Sequence, residues 1–306
     1  MGFRFSGHET FPCRYAWLPK AFSEIRSEAS ALADDEAAMV ALGLGKNMVR
    51  SLRFWLDVSG VAVSKRDRSF TTTEFGRQLL GPRGADPFLE DVRTLWLLHW
   101  QIATRSDEPL FAWDLLLNRW PQAEFSRSTV LPAFRRGAAA QDKKLSDVTL
   151  EQHFDVFLHS YVPTSGRKGE VLEDNLDCPL VELELIQKIG ERSLDGTGNR
   201  EPVYAFRVTE KPGITPELFT FCVAEFWRLQ RAKERTVSLR DIAVGPGGPG
   251  QVFKLPEPAI RERLETIEAD SGGLFAYKES ASSQHLVKLA EPSSSLLPRI
   301  FRGKVA

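Results

Sequence analysis

From residue 46 to residue 56 the apolar and basic positions recur at helical spacing. At about 100° per residue, Val49, Leu52 and Leu56 share one sector of a helix. Lys46, Arg50 and Arg53 share another, roughly a third of a turn away. One face is suited to burial and the other to solvent or a polyanion. Gly43 and Gly45 mark a turn immediately before it, and base contacts in such a helix come mainly from its first turns. The pattern predicts a recognition helix opening with Lys46 and Asn47, with Asp57 at its far end as the one acidic intrusion.

The flanking pattern predicts a winged helix-turn-helix. Residues 11–27 read as a first helix with Tyr15, Leu18, Phe22 and Ile25 on one face. Asp34, Asp35 and Glu36 open a second helix, their carboxylates suiting its positive end. Beyond the recognition helix, Val61-Ala62-Val63 and residues 69–73 are β-prone, and Ser64-Lys65-Arg66-Asp67-Arg68 between them reads as the basic tip of a hairpin. Lys65, Arg66 and Arg68 would grip phosphate from this wing. Between Lys46 and Arg83 eight basic residues face three acidic ones, a local surplus of five positive charges.

Gly81-Pro82-Arg83-Gly84 interrupts the periodicity, as does the polar stretch 165–169. These breaks divide the chain into a winged helix-turn-helix domain at 1–84, a helical middle domain at 85–166 and a mixed α/β domain at 167–306. The middle domain takes helices from 88–104, 111–120, 129–140 and 150–162. In the third, residues 202–209 alternate like a strand and 216–235 read as one long helix. Residues 238–243 and 256–269 read as two further helices around a glycine and proline loop at 244–250. With 275–277 and 285–288 as a hairpin, this end is open between a second winged fold and a small interaction domain. Glu257, Glu262, Glu265 and Glu268 disfavour a groove contact by its amphipathic helix. The fold class expected is α+β, predominantly helical.

Composition narrows the function. A chain of 306 residues with 42% hydrophobic positions, seven Trp and twenty Phe is long enough for several buried cores. Its formal net charge is only −1, so contact with double-stranded DNA must come from a local patch. Three widely spaced cysteines argue against a disulfide frame or a cysteine zinc site. No apolar run approaches the roughly 18 residues of a membrane span. The N-terminus, with Arg4, His8 and Glu9, lacks a signal-peptide core. The expected place is the cytoplasm, with no membrane partner.

Two clusters carry candidate chemistry. Ser6-Gly7-His8-Glu9-Thr10 places an imidazole, a carboxylate and two hydroxyls beside a glycine, a set able to move protons or bind a metal, and equally a good helix start. Glu173-Asp174-Asn175-Leu176-Asp177 places carboxylates within one turn, where oxygen ligands would hold Mg²⁺ or Mn²⁺, and the same residues cap helices well. Gly45-Lys46-Asn47 is not a phosphate loop, because Val40 stands in the first glycine position and Asn47 replaces the metal-binding hydroxyl. No nucleotide cofactor is expected.

Residues 5–15, 42–56 and 173–183 resemble signature stretches of an SspB-like family of bacterial DNA phosphorothioation and defence proteins. The likeness runs in patches over most of the chain. It implies a role in replacing a non-bridging phosphate oxygen of DNA by sulfur, as the component that nicks DNA. A cysteine desulfurase and a sulfur-transfer ATPase are the partners implied, and a homodimer is an open option. His8, Glu9, Glu173, Asp174 and Asp177 match motif positions, and their use as catalysts or metal ligands is an expectation. Two other readings share the DNA-binding half: a non-catalytic DNA reader serving the sulfur-transfer partners, and a winged-helix transcriptional regulator.

Overall fold

A computed structural model describes residues 2–141, 143–163, 178–194, 198–280, 283–292 and 295–302. The fold is α+β with small antiparallel sheets. Two compact units comprise residues 1–116 with 120–207, and residues 117–119 with 208–306.

The first unit opens with α1 (Trp17–Ser27), α2 (Asp35–Leu42) and α3 (Lys46–Val58). The strands β1 (Ala62–Ser64) and β2 (Phe70–Thr72) follow, paired antiparallel from Ala62–Thr72 to Ser64–Phe70. Helix α1 starts later than the periodicity predicts. Residues 11–14 form no helix, because the Phe11 carbonyl is taken by the Trp55 indole N–H at 3.0 Å and the Ser51 hydroxyl at 3.3 Å, both on α3, instead of by a helical N–H. Just before them, residues 7–10 form a tight turn in which Gly7, Glu9 and Thr10 all have positive φ. Helix α2 begins as read: the Asp34 side chain accepts the Ala37 N–H at 2.9 Å, and Gly43 ends the helix in the left-handed region at φ 63°.

Next come α4 (Glu74–Leu80), α5 (Val92–Ala103) and α6 (Phe111–Trp113), the last continuing as a π-helical turn at Asp114–Arg119. After β3 (Glu124–Phe125) come α7 (Arg127–Ala139), α8 (Asp147–Tyr161) and a 3₁₀ turn at Pro179–Leu183. The strands β4 (Ile186–Ser193) and β5 (Arg200–Phe206) complete the unit, and β5 lies centrally in the order β3-β5-β4. Aromatic packing joins its helices. Trp113 meets Trp55 of α3 at 5.9 Å and Phe157 of α8 at 5.1 Å, both edge-on. The buried Tyr161 hydroxyl accepts the Trp113 indole N–H at 3.0 Å and pairs with His99 Nδ1 at 2.8 Å.

The second unit contains α9 (Pro216–Gln230), β6 (Thr236–Ser238), α10 (Leu239–Val244), α11 (Pro249–Phe253), α12 (Glu257–Ser271), β7 (Phe275–Ser280), β8 (Ser283–Lys288) and α13 (Leu297–Ile300). Its sheet runs β6-β8-β7, all antiparallel. Helix α9 stops short of the predicted 235 because the chain folds back, and the Trp227 indole N–H donates to the Glu234 carbonyl at 2.8 Å. Trp227 also stacks on Phe275 of β7 at 5.6 Å. Part of the expected loop 244–250 is helical, with Pro249 in the first turn of α11. None of the described helices is long and apolar enough to cross a membrane.

Candidate nucleic-acid interface

Helix α3 separates its faces as the spacing requires. Val49, Leu52, Trp55 and Leu56 are completely buried, and the Trp55 indole N–H donates to the Phe11 carbonyl at 3.0 Å. Lys46, Asn47 and Arg50 lie exposed on the other side. The hairpin between β1 and β2 is closed by Lys65 N–H to Ser69 O at 2.8 Å and Arg68 N–H to Lys65 O at 3.0 Å. Asp67 fixes its tip by accepting the Ser69 N–H at 3.0 Å, and Lys65, Arg66 and Arg68 are left exposed.

A single carboxylate joins helix and hairpin. Asp35, the first residue of α2, lies 2.5 Å from Arg53 and 3.8 Å from each of Lys46, Arg50 and Arg68. The hydrogen bond from Arg53 is the main cause that holds its carboxyl below the usual range, with Arg50 and Lys46 adding to it. The four cations are not equivalent. Arg53 is 14% exposed and also donates to the Asp34 carbonyl at 3.0 Å, so it braces α3 against the start of α2. Lys46, Arg50 and Arg68 are 56%, 45% and 70% exposed. At 3.8 Å their contacts are ion pairs without hydrogen-bond geometry, which surface solvent weakens further. The patch keeps a positive surplus, arranged around Asp35.

Asp57, the acidic intruder of the sequence pattern, is neutralised. Arg4 reaches it at 3.0 Å and Arg105 at 3.2 Å. Neither Arg4 nor Arg105 was marked by periodicity, since both come from segments distant in sequence. From the sequence Asp35 is only a helix start. The signal for its second role is that it opens the helix packed against the lysine and arginine face, which spacing within one helix cannot disclose.

The N-terminal cluster is drawn apart. His8 is buried, and its Nε2 lies 3.2 Å from His153 Nδ1 with the two rings stacked 5.4 Å apart. His153 Nε2 accepts the Ala112 N–H at 3.0 Å. Burial lowers the His8 pKa to about 4, and burial beside His8 drives His153 well below the ordinary imidazole value. Both rings are neutral at pH 7. Glu9 is exposed on the turn. Gly7 is required where it stands: its φ is +110°, and a Cβ there would come within 2.8 Å of the Phe54 ring. Glu173, Asp174 and Asp177 lie outside the described residues. Among the described residues no three His, Cys, Asp or Glu side chains are grouped to hold a metal ion, so the described set does not fit a divalent cation.

In the second unit both arginines of α12 are engaged by carboxylates. Arg261 contacts Glu257 at 3.2 Å and Glu279 at 2.8 Å, and Arg263 pairs with Glu210.

The fold has solved counterparts. A structure described as "Magnesium ion-bound SspB crystal structure" superposes with a TM-score of 0.79 at 26% identity, covering 98% of this chain and 86% of the other. A second, "SspB crystal structure", gives 0.78 at 25% identity over the same shares. No curated protein matches the chain in sequence. The family described as "Protein of unknown function (DUF4007)" matches over residues 5–300.

Proposed function

We propose that this chain, which belongs to the DUF4007 family and is SspB-like, is the DNA-binding component of a DNA phosphorothioation system. The exposed cationic patch carried jointly by α3 and the β1–β2 hairpin supports this reading most strongly. In it, residues 17–72 act as a winged helix-turn-helix. Lys46, Asn47 and Arg50 enter the major groove from the first turns of α3, and Lys65, Arg66 and Arg68 hold the flanking phosphates. Arg53 contributes through Asp35, fixing the angle of α3 rather than touching DNA. The order β6-β8-β7 with α10, α11 and α12 supports a second winged module in the other unit. Its paired surface charges fit protein contact, and the sulfur-transfer partners implied by the family resemblance are candidates for it.

Nicking is a further step. The described residues supply no ligand set for a metal, and Glu173, Asp174 and Asp177 remain its candidate carboxylates. One observation favours the non-catalytic reader instead: the His8 ring is stacked against His153 in the core, where it serves packing.

The binding claim is tested with a fluorescently labelled duplex of about twenty base pairs. The chain should bind it saturably, and charge reversal by Arg50→Glu with Arg68→Glu should abolish binding without lowering the thermal midpoint. Undiminished binding by the reversed variant overturns the proposal.

A further inference from the structure

Helix α1 and the loop that follows α4 enclose a groove of about 680 Å³. Pro19 and Phe22 of α1 form one wall, and Leu80, Pro82, Pro87 and Phe88 form the other. Phe88 is 70% exposed, and the fold holds it there. The buried Asp86 carboxylate accepts the N–H groups of Glu90 and Asp91 at 3.0 and 2.9 Å, closing a tight loop. Within that loop Leu89 is completely buried at φ +60°, a backbone conformation unfavourable for a branched side chain. Burying Leu89 in this way turns its neighbour Phe88 outward.

The rim has the opposite character. Lys20 and Arg26 project from α1, both lining the groove, and Arg83 is exposed on the facing loop. None of the three has an ion pair among the described residues; Lys20 Nζ donates to the Leu42 carbonyl at 2.6 Å, which leaves its charge uncompensated. At one end of the groove Tyr15 has acidic neighbours in Glu182 and the buried Asp86.

We propose that this groove docks an acidic segment of a partner protein through an aromatic or aliphatic anchor seated against Phe88. The apolar floor rewards a hydrophobic anchor and offers little to a phosphate backbone. The three cations give the flanks of that segment their sign. None of the residues assigned to DNA lines this groove.

The probe is a labelled peptide of about twelve residues with one central Trp flanked by Glu, titrated into the full chain by anisotropy. Its controls carry Lys flanks, or Ser in place of Trp. The Glu-flanked Trp peptide should bind at least about tenfold more tightly than either control. Phe88→Ser, at an exposed position, should weaken it about tenfold with the thermal midpoint unchanged. Arg26→Ser with Arg83→Ser should weaken it several-fold and flatten its salt dependence. Equal binding of the Lys-flanked peptide, or insensitivity to Phe88→Ser, overturns the proposal. So does a groove occupied by a second copy, seen as self-association that Phe88→Ser abolishes, or by duplex that displaces the peptide.

Discussion

Neutralising Lys46, Arg50 and Arg68 together by serine should change the salt dependence of duplex binding by a calculable amount. These three are chosen because each is substantially exposed and holds Asp35 only at 3.8 Å; Arg53 is excluded because its substitution would loosen α3 from α2. Each phosphate neutralised by a basic side chain adds about 0.9 to the slope of log affinity against log salt. Three lost contacts remove about 2.7 from that slope. Between about 50 and 200 mM salt, one contact corresponds to roughly a 3.5-fold change in affinity and three to roughly 40-fold. The wild-type chain should therefore lose about 40-fold more affinity across that range than the variant does. Anisotropy titrations at four or five salt concentrations measure both slopes on the same duplex. A slope difference below about 0.9, one contact's worth, refutes the assignment of these side chains to phosphate.

Other outcomes follow from the same geometry. Asp35→Asn removes the one carboxylate among four cations while keeping an oxygen for Arg53, so duplex affinity should rise at low salt, and a fall would contradict its compensating role. His8 has a lowered pKa in the folded chain, so its stabilising effect is complete above pH 6.5, the unfolded value, and is lost as pH falls toward about 4. That loss is about 3 kcal/mol for His8, with His153 adding in the same direction; urea melts from pH 7 to 4.5 should show it, and a His8→Phe variant with an equally steep decline would exclude His8 as its source. Gly137→Ala should destabilise the first unit by about 1–3 kcal/mol through overpacking, because the new Cβ would fall 2.0 Å from the Phe111 ring; an unchanged thermal midpoint would refute it. With supercoiled plasmid and Mg²⁺ or Mn²⁺, the nicking reading expects open circles that Asp174→Asn abolishes while duplex binding persists, and the reader reading expects none.

Much of the first unit was legible because its signals are local. The buried sector of α3, the Asp34 cap, the left-handed Gly43 and the basic hairpin each follow from residues within a few positions of one another. What escaped depends on contacts distant in sequence. Strand β4 carries no alternation to read, since only Ile186 of its eight residues is buried. The turn at 7–10 was hidden because glutamate and threonine seldom adopt positive φ, and here the burial of His8 against His153 accompanies it. Spacing placed Arg53 among the DNA contacts, while the approach of α2 to α3 gives it to Asp35. The same approach makes Asp35 the centre of the patch. The acidic cluster at 173–177 lies outside the described residues.

Hydrogen–deuterium exchange with and without a saturating duplex tests the central claim most directly, because it locates contact along the whole chain. Binding through α3 and the hairpin predicts slowed exchange in peptides covering residues 44–53 and 64–70, with no change across α12. Protection concentrated on α12, or none at residues 44–53, would contradict the account.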